Sequence, residues 1–159
     1  MSVVGKKWLI KNQSGSKSVI EKILENRGFN ELEEMADFHD PFLFEDMEKS
    51  VERITKAIKE GELIVVFGDY DVDGITGAAI LVHALRKLDA NVSAKLPHRL
   101  EDGYGLSEKF IDYFIKEAAH LIITVDCGIS CKAAVKKAKL YGIDTIITDH
   151  HTIPKEPPT

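Results

Sequence analysis

From residue 17 to about residue 60 the apolar positions recur at helical spacing. Val19, Ile20, Ile23 and Leu24 share one face of a helix that Gly28 is placed to close. Across Glu45–Glu60, Met47, Val51, Ile54 and Ile58 follow at intervals of four, three and four, and Gly61 is the stop. Between these helices, FHDPFLFED around Pro41 reads as a short apolar connection that docks on the core that follows. After Gly61 the period changes. Leu63–Phe67 is a continuous, β-branched apolar run too short for a helix, the pattern of a strand buried on both faces. Helix and strand patterns then alternate: a helix over Ile75–Leu88, a strand over Asn91–Leu96 and a polar loop, PHRLEDGYG. A helix over Ser107–Ala118, a strand over Leu121–Val125, a Lys-rich helix over Ser130–Tyr141 and a strand over Thr145–Thr148 complete the series.

This order predicts an α/β fold: a Rossmann-like parallel sheet with helices on both faces, preceded by a short helical N-terminal region. The expected organisation is a helical lead-in over residues 1–60 and an α/β domain over 61–159. In open sheets of this kind, ligands gather beyond the carboxyl ends of the strands.

Composition narrows the function. With 159 residues, 44% of them hydrophobic and 30% charged, the chain is an ordinary globular protein of about one domain. No apolar run approaches the ~18–20 residues of a membrane span, so no membrane association is expected. The N-terminus MSVVGKKWLIKNQSGSK lacks the pattern of a secretion signal, and two cysteines, Cys127 and Cys131, make no disulfide framework. A cytoplasmic protein is expected. The formal net charge of −5 argues against a bare binder of polyanions, whose affinity comes from neutralising phosphates. It fits better with acidic groups that bound divalent cations would offset.

Three acidic motifs follow three predicted strands. Asp69-Tyr70-Asp71-Val72-Asp73-Gly74 follows the first, Asp126-Cys127-Gly128 the Leu121–Val125 strand, and Asp149-His150-His151 the last. Each Asp alone could be a helix cap, and a His pair alone could be surface. Together they bring five carboxylates and two imidazoles to one sheet edge, where like charges repel unless cations neutralise them. Oxygen and imidazole donors suit manganese, magnesium, iron or zinc, and Cys127 with Cys131 reads as two plain thiols. The first motif also begins like an EF-hand loop, but Ile80 stands where the bidentate Glu belongs. A haloacid-dehalogenase-type phosphatase, with Asp69 as nucleophile, would leave Asp149-His150-His151 without a purpose. A Walker-type phosphate loop is absent.

Four stretches, VVFGDYDVDGITG, PHRLEDGYGL, LIITVDCGIS and IITDHH, resemble in order and spacing the DHH phosphoesterase superfamily, and within it the RecJ branch of single-stranded-DNA-specific exonucleases. RGF and DPFLFEDM ahead of VERITKAI are similar to the lead-in of that branch. The resemblance implies a site of two manganese ions, with magnesium as the other candidate, held by Asp71, Asp73, Asp126 and His150, with Asp126 as the bridge. It implies that His151 faces the scissile phosphate and that Asp149 orients the ligands or joins them. Some relatives carry a His where Phe67 stands, so Asp69 would either take that ligand's place or stand behind the ligands. The implied reaction is metal-dependent 5′-to-3′ hydrolysis of single-stranded DNA to mononucleotides, in DNA repair and recombination. The alternatives are an oligonucleotide or cyclic-dinucleotide phosphodiesterase, a pyrophosphatase, or a catalytically silent binding domain.

In the loop Pro97–Leu106, His98 and Arg99 are candidates for phosphate contacts and Tyr104 for stacking on a base. The other reading of that loop pairs Arg99 with Glu101 or Asp102. Tyr70 would only orient its turn. Lys132, Lys136, Lys137 and Lys139 read as an exposed helix face, and His83 as a packing residue of an apolar helix. The superfamily carries a further Asp motif and a second domain after the triplet. Neither follows His151, so the resemblance implies an incomplete catalytic domain, the N-terminal fragment of a longer nuclease.

Overall fold

In the computed structural model the described residues are 15, 17–29 and 38–158. The N-terminal segment through Ser14 and residues 30–37, inside the stretch read as helical, lie outside them. The chain divides into two units, Met1–Phe44 and Glu45–Thr159.

In the first unit, α1 spans Val19–Arg27 and starts in a capping box. The Glu21 amide donates to Ser18 Oγ (3.2 Å) and the Ser18 amide to Glu21 Oε2 (2.6 Å). Gly28, at φ 82°, closes it. Of its apolar face, Leu24 is buried, whereas Val19, Ile20 and Ile23 are exposed. Asp40 caps a 3-10 turn at Pro41–Leu43. Phe38, Phe42, Leu43 and Phe44 are exposed.

In the second unit, α2 spans Met47–Glu60 and β1 Ile64–Gly68. They are followed by α3 (Val72–Lys87), β2 (Val92–Lys95), α4 (Glu108–Lys116), β3 (Leu121–Val125), α5 (Lys132–Leu140) and β4 (Asp144–Thr148). The four strands form one parallel sheet in the order β2-β1-β3-β4, with Phe67 paired to Lys95 on one side and to Thr124 on the other. The chain steps from β1 outward to β2, then back across β1 to β3 and on to β4. Crossovers of one hand therefore place α3 on one face and α4 and α5 on the opposite face.

Alternation along β1 serves both layers. Val65 and Phe67 pack with Phe110, Ile111 and Phe114 of α4 and with Ala134 and Ala138 of α5. Ile64 and Val66 pack with Ala78, Val82 and Leu85 of α3 and with Ala57 of α2. Burial on both faces is why the strand reads as an unbroken apolar run. Arg53 ties α2 to the sheet: its Nε donates to Asp144 Oδ2 (2.6 Å), its Nη1 to Glu62 Oε2 (2.7 Å) and its Nη2 to the His120 carbonyl (3.3 Å).

Helix α3 begins at Val72 rather than Ile75, because the Asp71 carboxylate caps it. His83 is exposed, not packed: the helix is apolar nearly all round, and the face it buries is that of Ala78, Val82 and Leu85. Because the connections diverge at β1 and β3, the strand order reverses between them. That places a crevice beyond their carboxyl ends.

Candidate metal centre

The first motif continues β1. The Asp69 amide donates to the Val125 carbonyl (3.1 Å), which extends the β1–β3 pairing one residue past the strand. Asp69 is 2% exposed and its Oδ1 has no hydrogen-bond partner. Asp71 is still extended, and its Oδ1 accepts from the amides of Asp73 and Gly74, both at 3.1 Å. Residues two apart on an extended segment share a side, so Asp69 and Asp71 face the same crevice. Asp73 lies beyond the cap, in the first turn of α3, exposed.

The second motif ends β3. The Asp126 amide donates to the Thr148 carbonyl (2.9 Å), and the residue turns into the left-handed region at φ 61°. Gly128, at φ 115°, follows where a Cβ would lie 2.6 Å from Thr124 Oγ1. The third motif ends β4. Asp149 accepts from the amides of Ile129 (2.9 Å) and His151 (3.0 Å), and its Oδ1 is 2.7 Å from His151 Nδ1. His150 Nε2 is 2.9 Å from Asp126 Oδ1, although no well-angled hydrogen bond reaches that oxygen.

Among the described residues two donor groups result: Asp69, Asp71 and Asp126, and Asp126, His150 and His151, each with donor atoms within 4.8 Å of one another. Asp126 belongs to both. Asp73 and Asp149 belong to neither, Asp149 because its carboxylate is taken up by Ile129 and His151. Burial and then the Asp71 carboxylate push the Asp126 acid up. The amide of Gly74 leads the effects that hold Asp71 below the usual carboxylate range. The Asp149 hydrogen bond raises the imidazole of His151. Converging carboxylates, two of them buried with an orphaned oxygen, beside two imidazoles, fit hard or borderline divalent cations.

The loop between β2 and α4 lies over the same crevice. Arg99 stacks on the Tyr70 ring (5.3 Å to its centroid) instead of pairing with an acid of its loop. Asp102 is engaged by Lys109 Nζ (2.7 Å) and by the His98 amide (2.9 Å). The His98 side chain is exposed. Tyr104 Oη is 3.2 Å from His151 Nδ1, and its ring meets those of Tyr70 and His151 edge-on. Cys127 is fully buried and Cys131 partly so, both with thiols pushed up by burial, and neither joins a donor group. Lys132 pairs with Glu156 and Lys137 with Asp112, while Lys136 and Lys139 are exposed. Sequence reasoning misses the ring role of Tyr70 and the link between Tyr104 and His151, whose only trace in the sequence is two aromatic residues close to acidic motifs.

The profile of the DHH family, N-terminal domain, matches residues 63–159. The single-stranded-DNA-specific exonuclease RecJ of Bacillus subtilis is 40% identical over 141 residues, a match covering 84% of this chain and 18% of that protein. The chain thus spans about a fifth of the length of such curated relatives. Two solved structures are similar. One is an exonuclease RecJ bound to manganese, 43% identical with TM-score 0.66, covering 70% of this chain and 29% of that one. The other is RecJ from Thermus thermophilus in complex with Mn2+, 33% identical with TM-score 0.69, covering 85% of this chain and 19% of that one.

Proposed function

The chain belongs to the DHH family, and on that premise we propose that it forms the metal-binding part of an exonuclease hydrolysing single-stranded DNA from the 5′ end. The observation that carries this reading is the place of Asp126 in both donor groups, as a carboxylate shared by two cations requires. Asp69 and Asp71 would complete one site and His150 the other, with His151 beside it toward the phosphate. Asp73, in the first turn of α3, is a further candidate ligand that neither donor group includes. Manganese or magnesium suits the oxygen-rich half, and imidazole favours manganese over magnesium. Similar RecJ structures hold manganese or magnesium, which supports a divalent cation without choosing between the two.

When bound, the cations supply positive charge against the phosphate oxygens and lower the pKa of water toward neutrality. The protein's own groups set the rest. Asp149 turns Nδ1 of His151 inward, which leaves Nε2 on the crevice side, where the imidazolium form can donate to the leaving oxygen. Arg99 and His98, exposed on the loop over the crevice, offer cationic and hydrogen-bonding contacts to the strand's phosphates. No helix among the described residues is long and apolar enough to cross a membrane.

The test is hydrolysis of 5′-labelled single-stranded DNA by this chain with manganese, with magnesium and with chelator, beside pyrophosphate and a cyclic dinucleotide. Metal-dependent release of 5′ mononucleotides is expected. Cleavage of pyrophosphate or the cyclic dinucleotide alone would assign the site to another branch of the family.

A further inference from the structure

We propose that Tyr104 is a positioning residue for His151: its hydroxyl, together with Asp149, fixes the orientation and tautomer of that imidazole. The inference rests on the function proposed above and adds a residue to it. Nδ1 of His151 is 2.7 Å from Asp149 Oδ1 and 3.2 Å from Tyr104 Oη. A bare nitrogen lone pair against a carboxylate at that distance would be repulsive, so Nδ1 carries the hydrogen and donates it to Asp149. Tyr104 Oη accepts the longer arm of the same hydrogen. Its own hydrogen goes to the Asp126 carbonyl at 3.5 Å. Every donor then has an acceptor. The ring that faces the crevice is tied through one hydroxyl to the backbone of the residue shared by both donor groups.

The loop is built to deliver that hydroxyl. Gly103 and Gly105, at φ 75° and 78°, flank Tyr104, and two left-handed residues in three turn the chain sharply. Behind them, Asp102 is pinned by Lys109 and by the His98 amide. The ring of Tyr104 stands at 77° to His151 with centroids 5.7 Å apart, and at 82° to Tyr70 with centroids 6.5 Å apart. Edge contacts on two sides hold the ring where its hydroxyl meets Nδ1. A platform for a nucleotide base would need only the ring, whereas the positioning role needs the oxygen. The two roles therefore separate on one atom.

Tyr104→Phe removes that atom and keeps both edge contacts. In long-range proton–nitrogen NMR of the metal-free chain, His151 is expected to show one tautomer with Nδ1 protonated. In Tyr104→Phe its imidazole resonances are expected to shift and broaden as the ring samples more than one orientation. In turnover of single-stranded DNA with manganese, Tyr104→Phe is expected to lower kcat by about tenfold with KM unchanged, within the range for removing an outer partner of a site imidazole. Tyr104→Ala is expected to lower kcat as much. Imidazole resonances identical in wild type and Tyr104→Phe would overturn the proposal. So would full kcat in Tyr104→Phe with a raised KM only in Tyr104→Ala, the pattern of a stacking platform. If the wild-type chain turns over no DNA, the exonuclease reading fails, and the NMR comparison still decides the role of Tyr104.

Discussion

The backbone of Gly74 lies directly against that of Asp69: a Cβ on Gly74 would sit 2.5 Å from both the amide nitrogen and the carbonyl oxygen of Asp69. The first turn of α3 is thereby pressed onto the end of β1, and the Asp71 cap sits between them. Neither neighbour is a flexible side-chain tip, so a methyl group there must move backbone. Gly74→Ala is expected to cost about 1–3 kcal/mol in denaturant unfolding, the range for overpacking. Calorimetric titration should also show weakened manganese binding, since the displaced backbone carries Asp69. An unchanged unfolding midpoint would mean that the turn is looser than its contacts indicate.

Arg53 makes three polar contacts to residues distant in the chain, with Glu62 largely buried and Asp144 more exposed. Arg53→Met keeps most of the side chain's apolar stem but leaves the Glu62 carboxylate half-enclosed without its partner. A loss of about 1–2 kcal/mol is expected, with most of it assigned to Glu62 because exposed pairs such as Asp144 contribute little. In a double-mutant cycle on thermal unfolding, the coupling of Arg53 to Glu62 should exceed that to Asp144. The opposite order would place the tie at β4.

Strand existence and sheet direction are legible in the sequence because burial on both faces leaves an unbroken apolar run, as in Ile64–Phe67 and Leu121–Ile123. The start of α3 is not, since Val72-Asp73-Gly74 has the composition of a turn and becomes helical only once Asp71 supplies the cap. The same junction hides which acids converge. Asp69, Asp71 and Asp73 are evenly spaced in sequence, but the period changes from extended to helical at Asp71, and Asp73 rotates out of both donor groups. His83 is misread from sequence because a helix apolar all round does not announce its buried face. Contacts such as Tyr104 with His151, 47 residues apart, depend on loop conformation, which apolar periodicity does not encode.

Asp102 pins the loop that carries His98, Arg99 and Tyr104, and its pairing makes the pin dependent on pH. Its hydrogen bond with Lys109 and that from the His98 amide hold its carboxyl below the ordinary 3.8. In acid the unfolded chain therefore takes up the proton first. The contribution to stability is complete above 3.8 and lost as pH falls through the lower folded value. The His98 amide resonance should follow this titration, with a midpoint below 3.8. Asp102→Asn should abolish that step. A midpoint at or above 3.8 in the wild type would mean that the carboxylate is free in solution.

Asp126 gives the sharpest consequence of the cluster, because its effect on stability should change sign with metal. Without cations its carboxylate is buried beside that of Asp71, and both burial and repulsion oppose its charge. Asp126→Asn keeps the shape and removes the charge, so in chelator the variant is expected to melt higher than the wild type. With manganese at one hundred times the wild-type dissociation constant, binding should stabilise the wild type by about 2.7 kcal/mol. The variant should gain much less, since it lacks the carboxylate common to both donor groups. The order of melting temperatures should therefore reverse between chelator and manganese. Asp69→Asn, which alters only one donor group, should keep a larger share of the manganese-induced gain. Equal gains in wild type and Asp126→Asn would remove Asp126 from the metal site.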